Sequence, residues 1–289
     1  MSARAWIMFV SLCIVWGTPY FFVKVALTEV SPAMIAWGRI AAAALILVPV
    51  AAHRGTLRPA FAHLGALTAF AFAEMILPFL LISWGEQWVS SSLAGVLIAT
   101  TPMVVILIGP LFGIRERLGA RRLTGLLVGF GGVLLLLGID GVAGWQGWLG
   151  VGCLLGATLG YAIGPLVVQR HLGGVDELGA LAASLVVATL VLLPFALYTW
   201  PAAWPEERAL ASVAALGVLC TALGMLLYIA LIHLAGAARA TVVAYVNPAV
   251  AALLGVLVLG EHFGVGMALG LLLILLGSWL ATAVATSTR

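Results

Sequence analysis

Charge is scarce in this chain: 8% of its 289 residues are Asp, Glu, Lys or Arg, while 64% are hydrophobic. A soluble domain clothes its surface with about a quarter charged residues, so a water-soluble globule is excluded. Cysteine is scarce too. Cys13, Cys153 and Cys220 each fall inside an apolar run, with neither disulfide nor metal-ligand spacing, and read as small buried hydrophobes. The histidines at 53, 63, 171, 233 and 262 stand near predicted helix ends, and none pairs with a carboxylate at ligand spacing. No hydrolytic or metal constellation is visible, so neither an enzyme nor a metal or other cofactor is expected. The formal charge of +3 gives no reason to expect a nucleic-acid partner.

What is present is a series of apolar runs of about 20 residues, each long enough to cross a hydrocarbon core of roughly 30 Å. Ten spans are predicted: 5–27, 31–52, 62–84, 90–112, 121–139, 145–168, 178–199, 209–233, 238–260 and 263–285. Arg4 followed by Trp6 to Val15 imitates a secretory signal. No small-residue cleavage site follows, so a retained first helix is expected. The fold class is therefore an all-α membrane protein with a lipid bilayer as its surroundings.

Arginine sets the expected orientation. With the N-terminus in the cytoplasm, the inner segments carry Arg4, Arg54, Arg58, Arg115, Arg117, Arg121, Arg122, Arg170, Arg239 and Arg289, and the outer ones only Arg208. Trp37, Trp84, Trp88, Trp145, Trp148, Trp200 and Trp204 gather near the outer helix ends, where an amphipathic ring is favoured. Both termini are expected in the cytoplasm, in a cell inner (plasma) membrane.

The chain repeats at an offset of 145–146 residues. Pro49 matches Pro194, Pro102 matches Pro248, Glu116 matches Glu261, and Gly125 and Gly132 match Gly270 and Gly277. Two five-helix repeats follow, residues 1–139 and 140–289. Five is odd, so the halves cross the membrane in opposite senses, as in many secondary transporters. A repeat that supplies both halves of a cavity makes a monomer sufficient.

The run Trp16-Gly17-Thr18-Pro19, the segment RIAAAALILVP from Arg39 to Pro49, and NPAVAALLGVLVLGE from Asn247 to Glu261 resemble the drug/metabolite transporter superfamily, EamA type. The resemblance covers the whole chain. It implies a carrier with a central cavity working by alternating access on a small-molecule substrate. Within that superfamily the chain looks most like the YddG-type exporters of aromatic amino acids, which implies export of amino acids or related metabolites. A carrier of another metabolite or of a drug-like cation is the alternative; a membrane-embedded enzyme or scaffold is the remaining one.

Helix breakers and aromatic stripes mark a candidate site. Pro19, Pro78, Pro102, Pro165 and Pro248 would free the carbonyls of Val15, Glu74, Ile98, Tyr161 and Ala244, because proline removes the hydrogen bond to the residue four positions earlier. In hydrocarbon such carbonyls need protein or a wet cavity. Pro19, Pro102, Pro165 and Pro248 are the expected kinks or gating points; simple bending for packing is the competing reading. Helical spacing aligns Trp16, Tyr20 and Lys24 on the first span. It likewise aligns Thr158, Tyr161 and Pro165 on the sixth, Thr221, Met225 and Tyr228 on the eighth, and Thr241, Tyr245 and Pro248 on the ninth. Ordinary interhelical hydrogen bonding would explain any one of these. Together with Glu74, Pro78, Phe79, Thr100, Thr101 and Asn247 they define the expected substrate contacts: Trp16, Tyr20, Glu74, Pro78, Phe79, Thr100, Thr101, Tyr161, Tyr228, Tyr245 and Asn247. Glu74, Arg39 and Lys24 are the ionisable residues within spans. Glu74 is expected to be protonated or paired with Arg39 or Lys24, either as a helix lock or as a site for a proton or a substrate amine.

Overall fold

The computed structural model describes residues 2–113, 119–139 and 142–282. Among them nine helices are long and apolar enough to cross a membrane and one apolar helix, α9, is shorter: α1 (Ala3–Ala26), α2 (Pro32–His53), α3 (Leu64–Gly85), α4 (Ser91–Phe112), α5 (Ala120–Ile139), α6 (Gly144–His171), α7 (Glu177–Tyr198), α8 (Glu207–Ala235), α9 (Val243–Leu259) and α10 (Val265–Thr282). Each lies within a few residues of its predicted span. Helix starts are set by local chemistry. Ser31 accepts from the Met34 N–H, Ser90 from Leu93 and Asp176 from Gly179, satisfying donors that a first turn leaves open. The end of α9 is set by Gly260, whose φ of 68° few side chains tolerate.

α9 departs from expectation. The span predicted over 238–260 divides into a short helix Ala237–Ala240, a turn at 241–242 and a 17-residue helix. The β-branched pair Thr241-Val242 is a poor place to propagate a helix, and the break falls there rather than at Pro248.

Packing follows the repeat. α3 lies on α6 and α1 on α8; α2 also packs on α8 as α7 packs on α3; α4 meets α9, α2 meets α7, and α5 meets α10. Each of these contacts has its counterpart under the repeat or is its own. At the α5–α10 seam, Gly125, Gly129 and Gly132 face Gly270, Gly277 and Ala281 so closely that an added Cβ on Gly125 or Gly277 would strike the opposing backbone. Small residues permit this approach in a bilayer, where dispersion between helices replaces the hydrophobic effect. Outward, Leu45, Leu111, Leu134, Leu190, Leu257 and Leu272 are all more than 60% exposed, which suits lipid. Trp84, Trp88, Trp145, Trp148, Trp200 and Trp204 are exposed at one end of the bundle, and Arg4, Arg54, Arg58, Arg121, Arg170 and Arg239 at the other.

Candidate functional site between the two repeats

Four of the predicted proline sites behave in two ways. Pro19 and Pro102 each open a new helical segment, after Thr18 and after the turn at 99–100. Pro165 and Pro248 lie inside uninterrupted helices. The carbonyls freed at the two breaks do not wait for solvent. Thr18 Oγ1 donates to Val15 O at 2.9 Å, and Thr101 Oγ1 donates to Ile98 O at 2.7 Å. A hydroxyl one residue before the proline thus satisfies the carbonyl within its own turn. Thr100 does the same for Leu97 O at 2.7 Å and is buried.

A second kind of irregularity has no proline signature. α3 widens into a π-helical segment at Phe72–Ile76, and α8 does so at Leu216–Leu223. These positions correspond under the repeat. Such bulges leave carbonyls available to other partners and re-aim side chains. In α8 the Cys220 carbonyl accepts from Trp16 Nε1 at 3.1 Å. In α3 the bulge carries Glu74.

Around these bulges the structure gathers part of the expected set. Trp16 of α1 and Tyr228 of α8 stack with ring centroids 5.0 Å apart, tilted by 42°. Trp16 reaches that position because Gly224 has no side chain in its way. Tyr20 is buried against Gly95 of α4. Glu74 is half-buried against Gly164 of α6, and its Oε2 is enclosed without a hydrogen-bond partner. Tyr161 lies within electrostatic reach of Glu74 and Arg39, and Tyr228 within reach of Glu74. Phe79 lies under the Arg39 guanidinium, 3.7 Å from centroid to Cζ, and Pro78 packs on Gly160.

Other expected residues point elsewhere. The Tyr245 hydroxyl is bonded to Thr282 Oγ1 at 2.6 Å and lies 3.4 Å from Ser278 O, both on α10. Asn247 presents its backbone carbonyl to Gly17, while its Oδ1 is buried with no partner. No ion pair joins Glu74 to Arg39 or Lys24. Lys24 Nζ instead donates to the backbone carbonyls of Glu86 and Val89, at 2.5 and 2.8 Å. A crevice of about 270 Å³ near Trp88, Val142 and His262 includes none of the expected residues.

The two ends of the bundle differ. At the tryptophan-lined end, Glu261 accepts from the Ser91 and Ser92 N–H groups at 2.7 and 2.9 Å and from Ser92 Oγ at 2.6 Å. This carboxylate caps the positive end of α4 and ties it to α9, with Gly95 against Ala251 just below. Toward the arginine-lined end, the second segment of α4 packs on α6 and α10 instead of α9. The α4–α9 pair is therefore joined at one end and parted at the other. The matching Glu116 lies outside the described residues.

A model of the EamA-like transporter family matches this chain twice, over residues 3–138 and 148–283. The chain belongs to the EamA-like transporter family. Relatives of this EamA-like chain include the "Uncharacterized inner membrane transporter YedA" of Escherichia coli K12, 27% identical over 258 residues, which cover 87% of this chain and 81% of that protein. The "Uncharacterized transporter YoaV" of Bacillus subtilis strain 168 is 25% identical, covering 94% of each chain. These names carry no substrate. A solved crystal structure superimposes with a TM-score of 0.67 at 18% identity, covering 98% of this chain and 97% of the other, which is a likeness of fold. The π-helical segments and Glu261 are the features that sequence reasoning did not place at the site; Arg39 was weighed there as a partner of Glu74. The repeat-related placement of Glu74 and Cys220 was the available signal.

Proposed function

We propose that this EamA-like protein is an inner-membrane exporter of small organic metabolites, amino acids with aromatic or neutral side chains, working by alternating access. The observation that carries the reading is the group of Trp16, Tyr20, Glu74, Phe79, Tyr161 and Tyr228, contributed by α1, α3, α6 and α8 on both sides of the repeat interface. Aromatic faces suit an apolar side chain, and an enclosed carboxylate suits an ammonium group. Broken helices at a repeat interface are where transporters of this plan hold their cargo. With the arginine-lined end in the cytoplasm, the Glu261 cap closes the outer end, and the parted α4–α9 pair corresponds to a state open inward.

A drug-like or metabolite cation is the second reading, favoured by the unpartnered Oε2 of Glu74. Purified protein in proteoliposomes, loaded with labelled phenylalanine and competed by a panel of amino acids and organic cations, separates the two. Competition by neutral amino acids supports the first. Competition by cations alone, or no carriage of any amino acid, sinks it.

A further inference from the structure

Arg39 is buried in α2, 5% exposed, and its guanidinium is held by groups of α3 and α8. Phe79 of α3 supports one face at 3.7 Å. Nε donates to Thr221 Oγ1 of the α8 bulge at 3.2 Å. Gly217, without a side chain, lets the α8 backbone close onto the Arg39 carbonyl. Among the described residues neither Nη nitrogen has an acceptor, and no carboxylate comes within ion-pair distance of it. A charge buried without a counter-ion is strongly unfavourable, and a fork of Nη donors is the group best shaped to take a carboxylate.

Two facts say what completes it. Tyr161, Cys220, Tyr20 and the buried Glu86 are all within electrostatic reach of Arg39, which sets its charge beside the aromatic site. Glu74 stands on the same helix as Phe79, five residues away, or roughly 7 Å along the axis. Tyr161 lies within electrostatic reach of both Arg39 and Glu74, so a cation and a carboxylate share one aromatic neighbour, as the two ends of an α-amino acid require. Lys24 is committed to backbone carbonyls, so the site offers a single cationic fork, enough for a carboxylate and too little for a phosphate dianion.

We propose that Arg39 binds the substrate carboxylate, with Thr221 and Phe79 as positioning residues, while Glu74 receives the substrate amine. The assignment rests on the transport reading above and narrows it to zwitterions.

The test uses the full chain in detergent, with thermal stabilisation by phenylalanine, 3-phenylpropionate (no amine) and phenethylamine (no carboxylate). Wild type is expected to respond to all three. Arg39→Gln is expected to lose at least about tenfold in apparent affinity for 3-phenylpropionate while keeping phenethylamine; Glu74→Gln is expected to do the reverse. A merely structural Arg39 would shift all three alike. If Arg39→Gln does not elute as monodisperse protein, Arg39→Lys is read in its place: it keeps the charge but loses the planar fork, and should weaken the carboxylate selectively. Unchanged carboxylate affinity in the variant, or no response of wild type to either carboxylate, overturns the assignment. Arg39-dependent carboxylate binding without amino acid uptake in proteoliposomes would sink the transport reading and leave Arg39 standing.

Discussion

Tyr161, Tyr228 and Tyr245 look alike in sequence, each on a polar stripe of a repeat-related helix. The structure separates them by what their hydroxyls meet. Tyr161 and Tyr228 lie within electrostatic reach of Glu74, whereas Tyr245 is tied to Thr282. Tyr161→Ala and Tyr228→Ala should each slow uptake per folded protein, measured in proteoliposomes, with weaker competition by aromatic substrates. Tyr245→Phe should leave uptake unchanged and destabilise by about 1 kcal/mol, the usual net worth of one hydrogen bond, read as a lower melting temperature. Wild-type uptake in both alanine variants would remove these tyrosines from the site. Trp279 is 54% exposed with Arg121 over its ring, so Trp279→Ala should change neither quantity much.

At the scale of elements, the Glu261 cap makes a clear expectation. Its two backbone bonds are charge-assisted and sit at a helix N-terminus. Glu261→Gln should cost about 1–3 kcal/mol and loosen the tryptophan-lined end, seen as faster amide exchange at the start of α4 than in wild type. Unaltered exchange there would mean that the cap does not hold α4 to α9. The α5–α10 seam carries a sterner one. Gly277→Leu would drive a side chain into the backbone of Gly125 and Gly129, so the variant should fail to elute as monodisperse protein, while Gly131→Leu, which meets nothing, should behave as wild type. Pro19 and Pro102 were legible as breaks, because proline acts through local geometry. The π segments were not legible. They depend on which neighbour accepts the displaced backbone bonds, and Trp16 lies 204 residues from Cys220.

At the scale of the whole molecule, orientation is open to direct measurement. In a Cys-free background, Arg58→Cys should resist an impermeant thiol reagent in intact spheroplasts and react after permeabilisation, and Trp204→Cys should react in both. The reverse pattern would place both termini outside and turn the parted end of the α4–α9 pair away from the cytoplasm.

The sequence by itself determined the number and placement of spans, the twofold plan and the separation of tryptophan from arginine. Each is a property of runs, periods and counts: hydrocarbon thickness sets the run length, and an odd number of spans inverts the second half. Only the tertiary structure decided which polar groups meet. Glu74 and Arg39 were candidate partners in sequence, yet the bulge in α3 turns Glu74 toward Gly164, and Phe79 and Thr221 hold Arg39 elsewhere. Thr101 was read as a cavity residue and is spent on the carbonyl its neighbouring proline frees. A hydrogen bond is short and directional, so its partner is fixed by packing to within an ångström, a precision that helical periodicity does not carry.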